Sequence, residues 1–329
     1  MLLPEPDDAR RALGAVVGAF GGRDGLDPLQ AEILADVATQ VYGFAGGIDS
    51  VEALTADEFL AGGPPAGLER HVGHLLVLLE LAAHPLPVTT AQGIERYAHA
   101  IGYHGTLMHD ARELALEHTA LVYSDLQRHS WYAEETVRES RHGKLAELID
   151  SKLAYVGIAS DRKIATRWRA LRDMPEGSWG RGVADFYDRH GFPFPGERHG
   201  IYEIGAKHDF VHVLADYDAT PEGELDVFAF IAACMPDEKG LVLLAVTLGI
   251  FQNGSIHRVM GKRVKIARTD TLSDPGAAAR WAEALRRGHE CPVDVLGGVD
   301  HFALAPLPLD EVRRRLGVPA LRASLPPAT

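Results

Sequence analysis

Apolar residues recur along this chain at helical spacing, and no stretch alternates polar and apolar residues as a half-buried strand would. In LQAEILADVATQVYGF the positions Ile33, Leu34, Val37 and Val41 form one stripe. From Ala206 to Asp218 neither proline nor glycine interrupts a run carrying Phe210, Val211, Val213 and Leu214. Proline and glycine cluster instead between such runs, as in Gly62-Gly63-Pro64-Pro65, Pro85-Leu86-Pro87 and Thr220-Pro221. The pattern predicts an all-α chain, and its 329 residues are enough for two helical domains. We place these at 1–135 and 166–329, with 136–165, rich in charge, as a solvated helical linker.

The second domain contains the only spacing that implies chemistry. His208-Asp209-Phe210-Val211-His212 is followed, after eleven residues, by Glu224. Residues four apart stand one above the other on a helix, so His208 and His212 aim two imidazoles at one point. Asp209 stands about 100° round from His208 and roughly 60° from His212, and Asp216 shares the histidine face. The segment Tyr217–Gly223 reads as a turn, and a second apolar helix opens near Glu224. Two helices joined by a short loop pack antiparallel, which lets Glu224 face the histidines. His208, Asp209, His212 and Glu224 would then form a mixed nitrogen and oxygen site for a divalent metal. Zinc is the first choice, with iron or manganese as alternatives. Asp209 has a second possible role, as orienter or proton acceptor.

Blander readings compete. With 16 histidines in 329 residues, one pair at this spacing is expected by chance, and such a pair can simply be hydrogen-bonded on a buried face. The zinc-protease word His-Glu-x-x-His needs Glu where this chain has Asp209, which disfavours a metalloprotease. A His-Asp phosphohydrolase needs a further His and a distant Asp that nothing here fixes. His71 and His74, and His109-Asp110 with His118, lack a suitable carboxylate and read as hydrogen-bonded histidines. Asp24, Asp27 and Glu32 read as turn and cap residues.

The motif and its surroundings resemble the ubiquinone (coenzyme Q) biosynthesis family of the coenzyme-Q-four type. Met174-Pro175-Glu176-Gly177 with Trp179-Gly180-Arg181 is similar to that family's entry word. Phe186-Tyr187 with His190-Gly191-Phe192 is similar to its FLxxxGF word, and Leu309–Pro319 to its closing word. The similarity covers roughly Arg169 to Pro319. One departure is Ile204-Gly205-Ala206-Lys207, where the family carries an Arg-rich word. The resemblance implies a metal-dependent protein that acts on or binds a polyprenylated quinone precursor. The chemistry it implies is oxidative decarboxylation of the head group. It also implies a rival, a non-catalytic prenyl-lipid-binding scaffold with a structural metal. An unrelated metal-dependent hydrolase is the third reading. The first half resembles, more loosely, a tellurite-resistance TerB-like helical domain through Asp24-Gly25 and Glu32.

Composition narrows the partners. A net charge of -13 argues against nucleic acid. The expected partners are a prenylated quinone precursor or prenyl lipid, a membrane surface, quinone-biosynthesis enzymes and a second copy of the chain as a homodimer. Arg258, Lys262, Arg263, Lys265 and Arg268 form a basic cluster suited to an anionic surface. The apolar run Leu241–Phe251 is eleven residues long, against the ~20 a spanning helix needs. It reads as core or as the lining of a lipid site. The amino terminus lacks a signal-peptide pattern, and Cys234 and Cys291 lack metal-type spacing. The expected location is cytoplasmic, peripheral to the inner face of the membrane. The chain carries no P-loop, no dinucleotide glycine fingerprint and no nucleophile elbow.

Overall fold

The computed structural model describes residues 5–44, 47–83, 86–115, 131–139, 160–235, 238–254 and 269–322. Among them every regular element is helical, and the one isolated bridge pairs Ser178 with Pro308. The protein is all-α. The helices are α1 (Pro6–Ala19), α2 (Pro28–Asp36), α3 (Ala56–Leu60), α4 (Leu68–Ala82), α5 (Val88–Ala100), α6 (Thr106–Ala115) and α7 (Trp131–Glu139). They continue with α8 (Arg162–Arg169), α9 (Trp179–His190), α10 (Glu203–Ala215), α11 (Pro221–Cys234) and α12 (Lys239–Phe251). The last three are α13 (Ala277–Glu290), α14 (His301–Leu304) and α15 (Leu309–Leu316).

Local chemistry explains several boundaries. Asp27 caps α2 in a reciprocal capping box with Gln30, with Pro28 in the first turn, as the sequence predicts. Thr220 caps α11 by accepting from Gly223 N, and Pro221 opens it. α10 stops earlier than its apolar pattern suggests. Asp216 takes a left-handed conformation (φ 65°) and closes the helix at Ala215. α5 begins at Val88 after Pro87, with no side-chain cap.

Two long helices sit at the centre. α4 is buried on nearly every side, against α1, α2, α5, α6 and α12. α11 lies between α12 and α13. α12, the apolar run of the sequence, is enclosed by α4 and α11, and Leu241–Ala245 and Leu248 are buried as core. The two halves of the chain touch through α12 on α4 and through α13 on α2. The last carbonyls of α4 accept from side chains elsewhere, Leu79 O in addition to the Ala83 N–H and Leu81 O and Ala82 O at the helix end proper. Gln30 Nε2 donates to Leu79 O at 3.1 Å, Asn253 Nδ2 to Leu81 O at 2.8 Å and Gln252 Nε2 to Ala82 O at 2.9 Å.

α7 runs into the start of the charged segment, and it is solvated on one face only. It packs on α10 and α12, with Glu135 buried. Lys207 Nζ reaches Glu135 Oε1 at 2.5 Å and Lys239 Nζ reaches Glu134 Oε2 at 2.6 Å. Residues 140–159 of the expected linker, His118 and the basic cluster 258–268 lie outside the described residues. No helix among the described residues is long and apolar enough to cross a membrane. Cys234 and Cys291 are free thiols.

Candidate metal centre

α10 and α11 are joined by residues 216–220, and this short loop folds Glu224 back onto α10. His208, His212 and Glu224 each offer one ligand atom, and the three atoms lie within 4.8 Å of one another. His212 Nε2 stands 3.3 Å from Glu224 Oε1, and His208 Nε2 stands 3.7 Å from Glu224 Oε2. Bonds of 2.0–2.1 Å to a tetrahedral ion would put ligand atoms about 3.4 Å apart, so the spacing fits a small divalent cation. His208, His212 and Glu224 can hold a metal ion.

The hydrogen bonds behind the rings strengthen that fit. His208 Nδ1 donates to Gly205 O at 2.6 Å, and His212 Nδ1 donates to Tyr217 O at 3.3 Å. Fixing the proton on Nδ1 leaves the Nε2 lone pair of each ring aimed at Glu224, the arrangement a ligating histidine needs. His212 Nε2 is fully buried and makes no hydrogen bond, so the fold has placed an unspent lone pair beside a carboxylate. Phe186 stacks on His212 with centroids 5.4 Å apart, and Phe228 lies 5.2 Å from His208. These rings keep water from the outer edges of both imidazoles.

Electrostatics follow the geometry. Burial opposes a charge on His212, but Glu224, Asp209 and the Tyr217 carbonyl outweigh it and push its pKa up. Burial likewise works against the Glu224 carboxylate, and the His212 and His208 rings outweigh it, so its pKa falls. Asp209 goes the other way. Burial, helped by Glu224, raises its pKa against the pull of both histidines and Tyr187.

Asp209 is adjacent to the cluster but outside the trio. Its Oδ1 lies 3.2 Å from His208 Nε2, and its Oδ2 accepts the Tyr187 hydroxyl. Asp216 does not join: it is exposed, and it is the left-handed residue that closes α10. His71 and His74 go to separate partners, Tyr42 and Glu238. Of the residues in the Asp24 to Glu32 stretch, Asp27 is the α2 cap.

Three contributors to the site carry no sequence signal of their own. Tyr187 stands in the Phe186-Tyr187 pair, where nothing in the sequence sets it apart from a core aromatic. Tyr217 contributes a main-chain carbonyl. The third is a pair of arginines at the end of α10. Arg313 Nε donates to Leu214 O at 2.9 Å and its Nη2 to Val213 O at 3.2 Å, while Arg287 Nη1 donates to Ala215 O at 2.8 Å. These cations satisfy the last carbonyls of the motif helix and suit the negative end of its dipole. Arg313 lies in the segment Leu309–Pro319, on α15. Phe194, inside the Pro-flanked turn at 192–196, is buried against Tyr187, whereas Phe192 is exposed.

No protein-family model matches the chain, and no curated protein sequence matches it.

Proposed function

We propose that the chain is a metal-dependent protein of ubiquinone-biosynthesis type, acting on a polyprenylated quinone precursor. The observation that carries the metal reading is the convergence of two Nδ1-tethered imidazoles and a buried carboxylate, with His212 Nε2 left unspent. The substrate class rests on the resemblance of residues 169–319 to that family. His208, His212 and Glu224 would hold the ion. A trio of protein ligands leaves coordination positions for substrate or water, as catalytic sites do. Bound there, a divalent metal supplies a Lewis acid and an activator of water or oxygen.

The chain's own residues have distinct parts in this reading. Glu224 balances charge between the two imidazoles. Asp209, with its raised pKa and its Oδ1 on the metal side of His208, takes and holds a proton from the reacting group. Phe186 and Phe228 keep bulk water from the imidazoles. Oxidative decarboxylation requires iron or manganese, because zinc has no redox chemistry; with zinc the same residues suit hydrolysis.

One observation favours a second reading. Asp209 Oδ1 stands 3.2 Å from His208 Nε2, the spacing of two ligands on one ion, so a turn of that carboxylate toward the trio would give a closed set of four. The protein would then be a scaffold that binds a prenyl lipid and recruits quinone-biosynthesis enzymes at a membrane surface. Elemental mass spectrometry of the purified protein, with His212→Ala alongside, separates the readings. Near-stoichiometric iron or manganese, lost in the variant, supports the catalytic centre, and a polyprenylated hydroxybenzoate is then the substrate to test. Tightly held zinc supports the scaffold. Absence of metal in both, even after adding it back, refutes the metal centre.

A further inference from the structure

Tyr187 lies behind Asp209, on α9, and is almost wholly enclosed (1% exposed). Its ring stacks on Phe194, with centroids 4.8 Å apart and planes 19° from parallel. Arg172 lies over the Phe194 ring at 4.6 Å, and Trp168 packs on Tyr187 at 5.7 Å. The phenol therefore has little freedom, and its hydroxyl donates to Asp209 Oδ2. The two oxygens of Asp209 are thereby set apart. Oδ2 is bound to the phenol, while Oδ1 lies 3.2 Å from His208 Nε2, one of the three ligand atoms. Without this tether a carboxylate next to His208 on the helix could turn either oxygen, or both, to an ion.

We propose that Tyr187 is a positioning residue of the metal centre: by holding Oδ2 it restricts Asp209 to a single oxygen on the metal side. This inference rests on reading His208, His212 and Glu224 as ligands. Outer partners of this kind, when removed, typically cost 10–100-fold in metal affinity. Tyr187 differs from a generic core tyrosine in one testable way, since all of its effect on the metal must pass through Asp209.

The test uses the full-length protein loaded with cobalt(II), whose visible bands report coordination number and geometry. Affinity is read by competition with a chromophoric chelator, for wild type, Tyr187→Phe, Asp209→Asn and the double variant. Phenylalanine keeps the stack on Phe194 and removes only the hydroxyl. The expected result is roughly 10–100-fold weaker cobalt binding in Tyr187→Phe, with shifted bands as Asp209 Oδ1 loses its fixed position beside His208. In the Asp209→Asn background, Tyr187→Phe should change neither affinity nor spectrum. Phe194→Leu keeps the hydroxyl but loosens its support, and should shift the bands in the same direction by less. If Tyr187→Phe fails to fold, the bands of Phe194→Leu decide the matter alone. Wild-type affinity and spectrum in Tyr187→Phe would overturn the proposal, as would full additivity with Asp209→Asn. A wild-type protein that takes up no cobalt overturns the metal centre together with this inference, whereas a cobalt-binding wild type with an indifferent Tyr187→Phe overturns this inference alone.

Discussion

α4 and α10 each carry two buried histidines, and the contrast between them shows what makes a ligand pair. On α4, His71 and His74 are three apart. His71 Nε2 is spent on the Tyr42 hydroxyl and His74 Nε2 on Glu238, 3.1 Å away. His71 Nδ1 has no partner, and burial pushes its pKa down to about 3. On α10, His208 and His212 are four apart, and backbone carbonyls hold both Nδ1 atoms, so both Nε2 atoms face the same carboxylate. There the His212 pKa rises despite burial. Burial and helical spacing are common to both pairs. The pairs differ in that backbone carbonyls take Nδ1 of both α10 rings and that one carboxylate, Glu224, faces both of their Nε2 atoms.

The sharpest way to break the comparison is to remove one ring from each helix. His212→Ala should lose the metal, which elemental analysis reads directly. Metal binding is also folding energy when the site exists only in the native state. A chelator should therefore lower the melting temperature of wild type but not of His212→Ala. His71→Ala should leave metal content unchanged while destabilising the protein by about 1–3 kcal/mol, because Tyr42 loses its buried partner. Metal loss in His71→Ala would mean that the two helices are not independent.

The buried carboxylates extend the contrast. Glu224 faces two imidazoles and its pKa falls, whereas neither oxygen of Glu80 on α4 has a hydrogen-bond partner. Burial, with Glu95 nearby, pushes Glu80 from 4.5 up to about 8. Native Glu80 thus keeps a proton that the unfolded chain has released, and stability falls as pH rises from about 4.5 to about 8. The slope per group is at most about 1.4 kcal/mol per pH unit. Asp36 and Asp226, raised to about 6 and about 7, act in the same direction but finish earlier. Of these three, Glu80 contributes the largest part of the slope between pH 7 and 8, with a smaller part from Asp226. Glu80→Gln should flatten that part of the profile in urea denaturation at fixed pH steps. An unchanged slope there would show that Glu80 is ionised or has found a partner.

The helical class, the α10 and α11 pair, and the trio His208, His212 and Glu224 were legible because helical periodicity and i, i+4 spacing are local properties. Thr220 and Pro221 announce the start of α11 in the same way. The rest depends on contacts between segments far apart in sequence. Tyr187 meets Asp209 across 22 residues, and Arg313 meets Leu214 across 99. Neither residue type marks its role, since tyrosine is an ordinary core residue and a triple arginine on a terminal helix reads as a solvated face. Asp216 shows the opposite failure. Periodicity places it beneath His212, but its left-handed backbone ends the helix before the pattern can apply. α7 reads as solvated from its charge, yet Lys207 makes Glu135 a buried partner.

The two helix ends supply the smallest effects, and they differ in kind. The end of α10 is held by the cations Arg287 and Arg313, and the end of α4 by the neutral amides of Gln30, Gln252 and Asn253. Arg313→Ala removes two charge-assisted bonds at a partly exposed side chain, which is worth about 1–2 kcal/mol in urea denaturation. It should also weaken metal binding, because Val213, Leu214 and Ala215 lead directly into the turn whose Tyr217 carbonyl orients His212. Asn253→Ala removes a neutral donor from Leu81 O and should cost about 1 kcal/mol. Metal affinity should not change, since α4 supplies nothing to the site. Equal effects of the two variants on metal affinity would show that the loss is general loosening. An effect confined to Arg313→Ala would show that the arginine end of α10 sets the direction of the His212 ring.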